Sequence, residues 1–160
     1  MKMLVAGSSG NGFIYQTPLG KMVITENGHA ITAVMFGESL PEKVNARETP
    51  LLTQANDQLQ EYFIGQRKSF DLPLAPQGTA FQQLVWKALQ DIPYGAVVSY
   101  QDMARAIGNA KACRAVGGAN NRNPIAIVIP CHRVIGSGGS LVGYGGGLEI
   151  KRQLLELEQQ

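Results

Sequence analysis

The sequence predicts an α/β protein of the α+β type: a small N-terminal antiparallel sheet plus helix, and a mostly helical C-terminal domain containing a helix-turn-helix. Short β-branched and apolar segments bounded by turn residues fill the first third of the chain. Capped helices with an apolar period of 3.6 residues fill most of the remainder. A chain of 160 residues, 44% hydrophobic and 16% charged, has room for two small globular domains. We place these domains at residues 1–76 and 77–160.

The first domain is predicted to begin as a β-meander with strands at residues 13–16, 22–25 and 30–36. The Asn27-Gly28 pair is a strong hairpin signal between the last two strands, because both residues tolerate a positive φ. Thr49 and Pro50 then predict the N-cap and the first position of a helix. An apolar helical face follows, so this helix is expected to pack on the sheet.

The second domain is predicted to start with a helix that packs into a core. Thr79 and Gln82 form a capping box, and the apolar residues that follow share one helical face. Ser99 and Asp102 form a second capping box, which opens a short helix. Another helix, from about residue 110 to residue 120, follows at once. This pair of short helices predicts a helix-turn-helix.

The second helix of this motif is rich in small residues, including Gly117 and Gly118. Glycine in a helix interior costs about 1 kcal/mol relative to alanine, so another factor should favour it. Close approach to a second backbone, of protein or of nucleic acid, is one such factor. A weak helix that packs tightly is the alternative, and the sequence pattern leaves both open.

Charge is unevenly distributed between the two predicted domains. Residues 1–76 hold six Lys or Arg against seven acidic residues, and residues 77–160 hold eight against five, within a net charge of +2. Between residues 92 and 133, five basic residues face a single acidic one, Asp102. Such a stretch is consistent with a site for a polyanion, although a solvated surface produces the same pattern.

Membrane-spanning and disulfide-stabilised secreted proteins are excluded by the sequence. The longest apolar runs, such as residues 125–129, are too short to cross a bilayer, and the first twelve residues lack the apolar length of a signal peptide. With only Cys113 and Cys131, at most one disulfide could form. We therefore expect a reducing, cytoplasmic setting, with a flexible arm at residues 7–10.

Cys131 is the strongest candidate for chemistry. It follows an apolar segment, predicted to be extended and buried at residues 125–129, and it precedes His132 and Arg133. Thiolate is the reactive form of cysteine, and an unperturbed thiol is only about 3% ionised at pH 7, a fraction that a nearby imidazole or cation would raise. In a strand, His132 would face away from Cys131, so cooperation needs a bend or a bridging water. A buried structural cysteine is the alternative.

Three other kinds of site fit the residues less well. The chain's cysteines and histidines lack the spacing of zinc ligands. The glycine-rich run at residues 143–147 lacks the lysine and the strand-to-helix context of a phosphate loop, and a pocket lid is the simpler interpretation. A Cys-His hydrolase remains conceivable, but no Asn or Asp stands out as its third member.

The motifs of the second domain, taken in order, resemble those of the O6-alkylguanine-DNA alkyltransferases. They are Pro-Tyr-Gly at 93–95, Ser-Tyr at 99–100, Arg-Ala-Val-Gly-Gly-Ala at 114–119, Asn-Pro at 123–124, Ile-Pro-Cys-His-Arg-Val at 129–134 and Tyr-Gly-Gly-Gly at 144–147. The resemblance covers residues 81–158 and, more weakly, the turn at residues 17–20. A bare Pro-Cys-His-Arg would be a weak signal, whereas this ordered series is specific.

The resemblance implies direct-reversal DNA repair. An alkyl group on guanine O6 would move irreversibly to Cys131, once per molecule, after the nucleotide has been flipped out of the duplex. It also implies that Cys131 is activated through water, His132 and Glu158. Tyr100 matches a tyrosine that helps to rotate the nucleotide and donates a proton to the leaving guanine. Asn123 matches an asparagine that joins the DNA-binding motif to the active site.

The resemblance further implies that the helix-turn-helix enters the minor groove, where small residues permit close approach. An arginine of its second helix fills the vacated stack. The implied DNA-contacting residues are Arg114, Tyr100, Ala115, Gly117, Lys111 and Arg122. The implied walls of the guanine pocket are Tyr144, Gly145, Gly146 and Val134, and Arg133 is implied to be mainly structural.

Two departures from the family pattern stand out. Cys113 occupies a position that is usually alanine, either as a second, off-pathway reactive thiol or as a small buried filler. The zinc ligands found in the N-terminal domains of some members have no counterparts here, so we expect no metal, and the implied transfer needs no cofactor.

The partner implied by the resemblance is double-stranded DNA containing O6-alkylguanine. We expect a monomer without membrane association, and the sequence leaves cooperative binding along DNA open. Two rival functions remain: an alkyltransferase-like protein that marks the lesion without transfer, and a hydrolase that turns over repeatedly.

Overall fold

The computed structural model describes residues 10–160, and the chain divides into two compact units between Pro76 and Gln77. The flexible arm predicted at residues 7–10 lies outside the described residues except for Gly10. That residue is the first of a strand, so the prediction is wrong at this position. No helix in the described part of the chain is both long and apolar enough to cross a membrane.

The first unit is a four-stranded sheet with one helix. Its elements are β1 (Gly10–Thr17), β2 (Gly20–Glu26), β3 (Ile31–Phe36), β4 (Val44–Ala46) and α1 (Pro50–Phe63). The order across the sheet is β3-β2-β1-β4, and the pairings of β1 with β2 and of β2 with β3 are antiparallel, as in a meander. Strand β4 adds a parallel edge beside β1 that the sequence analysis did not predict. With three residues, β4 is too short to display a period.

Helix α1 begins where its local sequence predicts. Oγ1 of Thr49 accepts a hydrogen bond from the backbone N–H of Leu52 at 3.3 Å, and Pro50 is the first helical residue. The apolar face of the helix is buried and consists of Leu52, Ala55, Leu59, Tyr62 and Phe63. The end of the unit is fastened beside β3, because the N–H of Ile31 donates to the carbonyl of Pro73 at 2.8 Å.

The second unit is mostly helical. Its elements are α2 (Ala80–Leu89), β5 (Val98–Ser99), α3 (Tyr100–Ala106), α4 (Cys113–Asn121), β6 (Val134–Ile135) and α5 (Leu148–Leu157), with 3₁₀ turns at Cys131–Arg133 and Ser137–Gly139. Both predicted capping boxes are present, at the starts of α2 and α3. Helices α3 and α4 form the predicted helix-turn-helix. Strands β5 and β6 pair in parallel, which brings the start of α3 beside the segment that follows Cys131.

The extended segment predicted at residues 125–129 is wrong. The backbone turns there: the N–H of Ile129 donates to the carbonyl of Ile125 at 3.1 Å, and Ile127 has a φ of 72°. Ile125, Ile127 and Ile129 are all buried, so a compact turn reproduces the alternating pattern of a strand. A positive φ is unfavourable for a β-branched residue, and burial of its side chain offsets that strain.

Candidate active site

Cys131 lies at the start of a 3₁₀ turn. Pro130 separates it from the turn at residues 125–129, called the isoleucine turn below. The side chain of Cys131 is buried, with 5% of the residue exposed. A 3₁₀ turn has about three residues per turn, so successive side chains diverge by roughly 120° and do not point in opposite directions. The bend that cooperation between Cys131 and His132 requires is therefore present.

His132 is fully buried and bonded to the end of α5. Its Nε2 lies 2.6 Å from Oε2 of Glu158. Because a carboxylate only accepts, Nε2 carries the proton in the neutral imidazole, and Nδ1 keeps its lone pair. Burial lowers the pKa of His132, and the charges of Arg133 and Lys151 lower it further against the opposing effect of Glu158. The imidazole is thus neutral at pH 7, with Nδ1 able to accept a proton.

Arg133 holds the same carboxylate from the other side. Its Nε donates to Oε1 of Glu158 at 2.8 Å and its Nη2 donates to Oε2 at 3.0 Å. The guanidinium also donates to the carbonyl of Ile92 at 2.7 Å and lies over the ring of Tyr94. Paired donors fix both the position and the rotation of a carboxylate. Arg133 therefore orients the group that sets the tautomer of His132, a link that the sequence analysis did not predict.

The pKa of the Cys131 thiol is raised, whereas the sequence predicted that His132 and Arg133 would lower it. Burial raises its pKa to about 11, although a hydrogen bond from Asn123 and the charge of Lys151 act in the opposite direction. His132 and Arg133 do not activate it as charged neighbours, because the imidazole is neutral and the guanidinium is bonded to Glu158 and to the carbonyl of Ile92. Only about one molecule in ten thousand would be a thiolate at pH 7. Activation therefore requires a base at the moment of reaction.

Two asparagines connect the helix-turn-helix to the cysteine. Asn123 donates through Nδ2 to the carbonyl of Ile129 at 2.8 Å and accepts at Oδ1 from the N–H of Ile125 at 3.0 Å, which holds the isoleucine turn in place. Asn120, in the last turn of α4, donates through Nδ2 to the carbonyl of Cys131 at 3.2 Å. The sequence motifs indicate Asn123 but give no signal for Asn120.

The loop at residues 136–147 is fastened to this cluster through the carbonyls of Val142 and Gly143. The carbonyl of Val142 accepts from the hydroxyl of Tyr100 at 3.1 Å and from Nζ of Lys151 at 2.8 Å. Lys151 is fully buried and also donates to the carbonyls of Val134 at 2.7 Å and Gly143 at 3.3 Å. One ammonium group thus ties the loop to β6. The role of Lys151 was not predicted from the sequence.

The four predicted pocket residues are close in sequence to the residues of this hydrogen-bond network. Val134 is buried in β6, whereas Tyr144, Gly145 and Gly146 lie in the loop. Burial raises the pKa of Tyr144 well above the ordinary value and raises that of Tyr100 as well. Both phenols therefore stay protonated at neutral pH and can donate hydrogen bonds.

The predicted DNA-contacting residues lie on and around α4. Lys111, Arg114, Ala115 and Arg122 are exposed, and Gly117 is half-buried. A methyl group added at Gly117 would lie 3.8 Å from the ring of Tyr100, which is ordinary van der Waals contact. The described neighbours therefore do not require glycine at that position. Cys113 is half-buried and donates from Sγ to Oε1 of Gln101 at 3.0 Å.

Residues 10–160 contain no group of three His, Cys, Asp or Glu side chains arranged to hold a metal ion. The site combines a thiol, a neutral imidazole oriented by a carboxylate, and two protonated phenols. Such a set suits transfer of a group to sulfur.

Comparison with known protein families agrees with this geometry. Residues 80–160 match the 6-O-methylguanine DNA methyltransferase, DNA binding domain, and residues 13–76 match the ribonuclease-like domain of the same family. The chain belongs to the 6-O-methylguanine DNA methyltransferase family. The family resemblance predicted from the motifs is confirmed.

Relatives and solved structures match over most of the chain. The constitutive methylated-DNA–protein-cysteine methyltransferase of Bacillus subtilis is 48% identical over 152 residues, which covers 90% of this chain and 92% of that protein. A relative of the same name from Methanosarcina acetivorans is 47% identical over 150 residues, covering 91% and 96%. A crystal structure of Mycobacterium tuberculosis OGT in complex with DNA has a TM-score of 0.88 and 45% identity, covering 93% of this chain and 92% of that one.

These matches confirm the predicted α+β fold class and the enzyme class. As a member of this family, the chain is a methylated-DNA–protein-cysteine methyltransferase, an enzyme of direct-reversal DNA repair.

Proposed function

We propose that this chain transfers a methyl or other alkyl group from O6 of guanine in double-stranded DNA to Sγ of Cys131, and that each molecule acts once. A bond forms between Sγ and the alkyl carbon while the bond from that carbon to O6 breaks. The acceptor, the base and the proton donor are side chains of this protein and the only other proton carrier is water, so the transfer needs no cofactor. The carbon–sulfur bond of a thioether is stable in neutral water, which makes the transfer irreversible.

The observation that carries the proposal is the hydrogen bond between His132, the residue after Cys131, and Glu158 at the end of α5. His132 presents the lone pair of Nδ1, and this atom has no hydrogen-bond partner among residues 10–160. A proton leaving Sγ would reach Nδ1 through a bridging water, and the carboxylate of Glu158, held in place by Arg133, would stabilise the resulting imidazolium. General-base assistance of this kind typically contributes about 10²- to 10⁴-fold in rate.

Tyr100 is the proposed proton donor to the leaving guanine. Its hydroxyl donates to the carbonyl of Val142 at 3.1 Å, and its raised pKa keeps the proton in place until a better acceptor arrives. A guanine ring nitrogen becomes such an acceptor as the bond to O6 breaks, and the phenolate then regains a proton from water while His132 releases to water the one taken from Cys131. Asn123 supports the site by holding the turn before Cys131 and by its hydrogen bond to the thiol.

Helix α4 is the proposed DNA-contacting helix, entering the minor groove so that the target nucleotide can leave the stack. Its exposed face has small residues beside Arg114, with Lys111 and Arg122 near its two ends. Because the neighbours of Gly117 leave space for a side chain, close approach of a DNA backbone explains this glycine better than internal packing. Val134, Tyr144, Gly145 and Gly146 would wall the pocket that receives the flipped base.

A titration with a duplex containing one O6-methylguanine tests the proposal. With lesion in tenfold excess, we expect methyl transfer to stop at one group per protein molecule, located on Cys131 by mass spectrometry of the tryptic peptide. Repeated turnover would support a hydrolase instead. A bound lesion with an unmodified protein would support an alkyltransferase-like protein that only marks the damage.

Replacing Arg114 by alanine should slow repair by about tenfold or more, because the vacated stack would no longer be filled and flipping costs a few kcal/mol. Single-turnover transfer is measured on the same O6-methylguanine in duplex and in single-stranded DNA. The loss is expected in the duplex only, since a single strand needs no flipping. Lys87→Ala removes one positive charge from α2, outside the helix-turn-helix, and is the matched control. Equal rates for the variant and the wild type in the duplex would refute the role of Arg114.

The rate of transfer should fall as the pH decreases, with a midpoint below the ordinary histidine pKa of about 6.5. Burial lowers the pKa of His132, so the neutral imidazole survives to a lower pH and is then lost by protonation. Single-turnover rates between pH 4.5 and 8, with saturating DNA, give the profile. The free energy of unfolding changes with pH in the same direction. The contribution of the neutral His132 is fully present above about pH 6.5 and decreases below it, because the unfolded chain binds the proton more tightly. A flat profile would exclude His132 as the base.

We also propose a cytoplasmic location, because the substrate is DNA and the thiol of Cys131 must remain reduced. One chain holds every proposed reacting group, so a monomer suffices for the reaction.

A further inference from the structure

Three buried side-chain polar atoms of the described residues have no hydrogen-bond partner: Oδ1 of Asn120, Nδ1 of His132 and the hydroxyl of Tyr144. Buried polar groups are nearly always paired, so each exception needs an explanation. Nδ1 of His132 is the proposed proton acceptor, and Tyr144 is a proposed wall of the base pocket. Asn120 has no role in the proposed mechanism, although only 2% of it is exposed.

The orientation of the Asn120 amide is fixed by its neighbours. A backbone carbonyl can only accept a hydrogen bond, so the group that faces the carbonyl of Cys131 at 3.2 Å must be Nδ2. The amide also lowers the pKa of the nearby Tyr100 hydroxyl, which is the effect of an N–H donor on a phenolate. Both contacts use the nitrogen side of the amide. Oδ1 is therefore held as an acceptor without a donor.

Asn120 lies between the two residues expected to touch the reacting base. It is bonded to the backbone of Cys131, and its side chain adjoins that of Tyr100. The preceding residue is held in place as well, because Nε1 of Trp86 donates to the carbonyl of Ala119 at 2.8 Å. The free oxygen thus belongs to a residue whose amide is hydrogen-bonded to the backbone of Cys131, where transfer takes place.

The chemistry of the substrate indicates which group this acceptor would bind. Alkylation at O6 removes the proton from N1 of guanine, so the 2-amino group is the remaining N–H donor on the Watson–Crick edge of the base. An acceptor with no partner in the protein complements that donor. O4-alkylthymine has a carbonyl oxygen at the corresponding place, which would repel Oδ1.

We propose that Oδ1 of Asn120 accepts a hydrogen bond from the 2-amino group of the flipped O6-alkylguanine and thereby selects for 2-aminopurine bases. The inference rests on the proposed function, because it assumes that the base enters beside Cys131. It makes Asn120 a specificity-determining residue that distinguishes O6-alkylguanine from alkylated bases without this donor.

The test compares two duplexes that differ only in the 2-amino group: one contains O6-methylguanine and the other O6-methylhypoxanthine. Single-turnover transfer rates are measured for the wild type, for Asn120→Leu and for Asn120→Ala, with the thermal unfolding midpoint of each. The wild type should prefer O6-methylguanine. In both variants that preference should fall by about tenfold, because a buried acceptor that selects the amino group has been removed.

The ratio of the transfer rates on the two duplexes distinguishes recognition of the 2-amino group from a purely structural role of Asn120. An equal loss of rate on both duplexes would mean that Asn120 only positions Cys131, and an unchanged ratio would overturn the inference. Two substitutions of different size protect the test against a variant that does not fold. Failure of the wild type to methylate Cys131 on either duplex would refute the proposed function itself, which is a distinct outcome from an unchanged ratio.

Discussion

Cys131→Ser should lose methyl transfer altogether, by at least about a thousandfold, while it still binds DNA that contains O6-methylguanine. Sulfur is the acceptor of the alkyl group, and a serine hydroxyl is a far weaker nucleophile at neutral pH. Binding should persist because the exposed surface of α4 is unchanged. The measurement is the mass of the tryptic peptide of residues 123–133 after reaction, alongside a binding titration with the same duplex.

The chain provides its own matched control, because Cys113 is its other cysteine. Cys113→Ser should still accept one methyl group per molecule at the wild-type rate. Trypsin separates the two sites, since cleavage at Lys111 and Arg114 places Cys113 on a different peptide from Cys131. Methylation of the Cys113 peptide in the wild type would instead identify it as a second reactive thiol. Transfer that survives in Cys131→Ser would contradict the proposed mechanism.

Glu158→Gln should reduce the rate of transfer by at least about a hundredfold and the free energy of unfolding by about 3 kcal/mol. The carboxylate accepts from His132, from two nitrogens of Arg133 and from the N–H of Gly95. All four partner groups are donors. The NH₂ group of a glutamine is also a donor, so it would face a donor with which it cannot form a hydrogen bond. The tautomer of His132 would then no longer be enforced, and the buried guanidinium would lose its counter-charge.

Glu156→Gln is the matched control for this variant, because Glu156 lies on the same helix and pairs with Arg152 on the surface. An exposed pair contributes less than about 1 kcal/mol, so both the rate and the stability should stay near those of the wild type. Urea unfolding and single-turnover transfer measure the two effects separately. A Glu158→Gln protein that is less stable but equally fast would restrict Glu158 to a structural role.

Local signals predicted the helices well. The capping boxes that begin at Thr79 and Ser99 each span only four residues. Each marks a helix start because it satisfies the first free N–H groups. The hairpin signal at Asn27-Gly28 and the proline at the start of α1 are equally local. Cys131, His132 and Glu158 were found differently: the ordered motifs selected them, and spacing alone would not have joined His132 to a residue 26 positions later.

Long-range contacts were beyond the reach of the sequence. Nothing near Arg133 indicates that it shares the carboxylate of Glu158 with His132, because that contact depends on how α5 packs. The isoleucine turn imitates a strand, since alternate burial looks the same in both. A signal for Lys151 was available: it precedes Glu158 by seven residues, two helical turns, and so lies on the same face of α5. A charged residue on a buried helical face needs partners inside the protein.

The burial of Cys131 also bears on how long the protein remains usable before it meets damage. Oxidants and stray electrophiles attack thiolates, and a thiol whose pKa burial has raised to about 11 has far less thiolate at pH 7 than an ordinary cysteine. A molecule that can react only once cannot recover from a wasted reaction. A sulfur that stays protonated until the flipped guanine has entered the site therefore preserves the supply of working molecules.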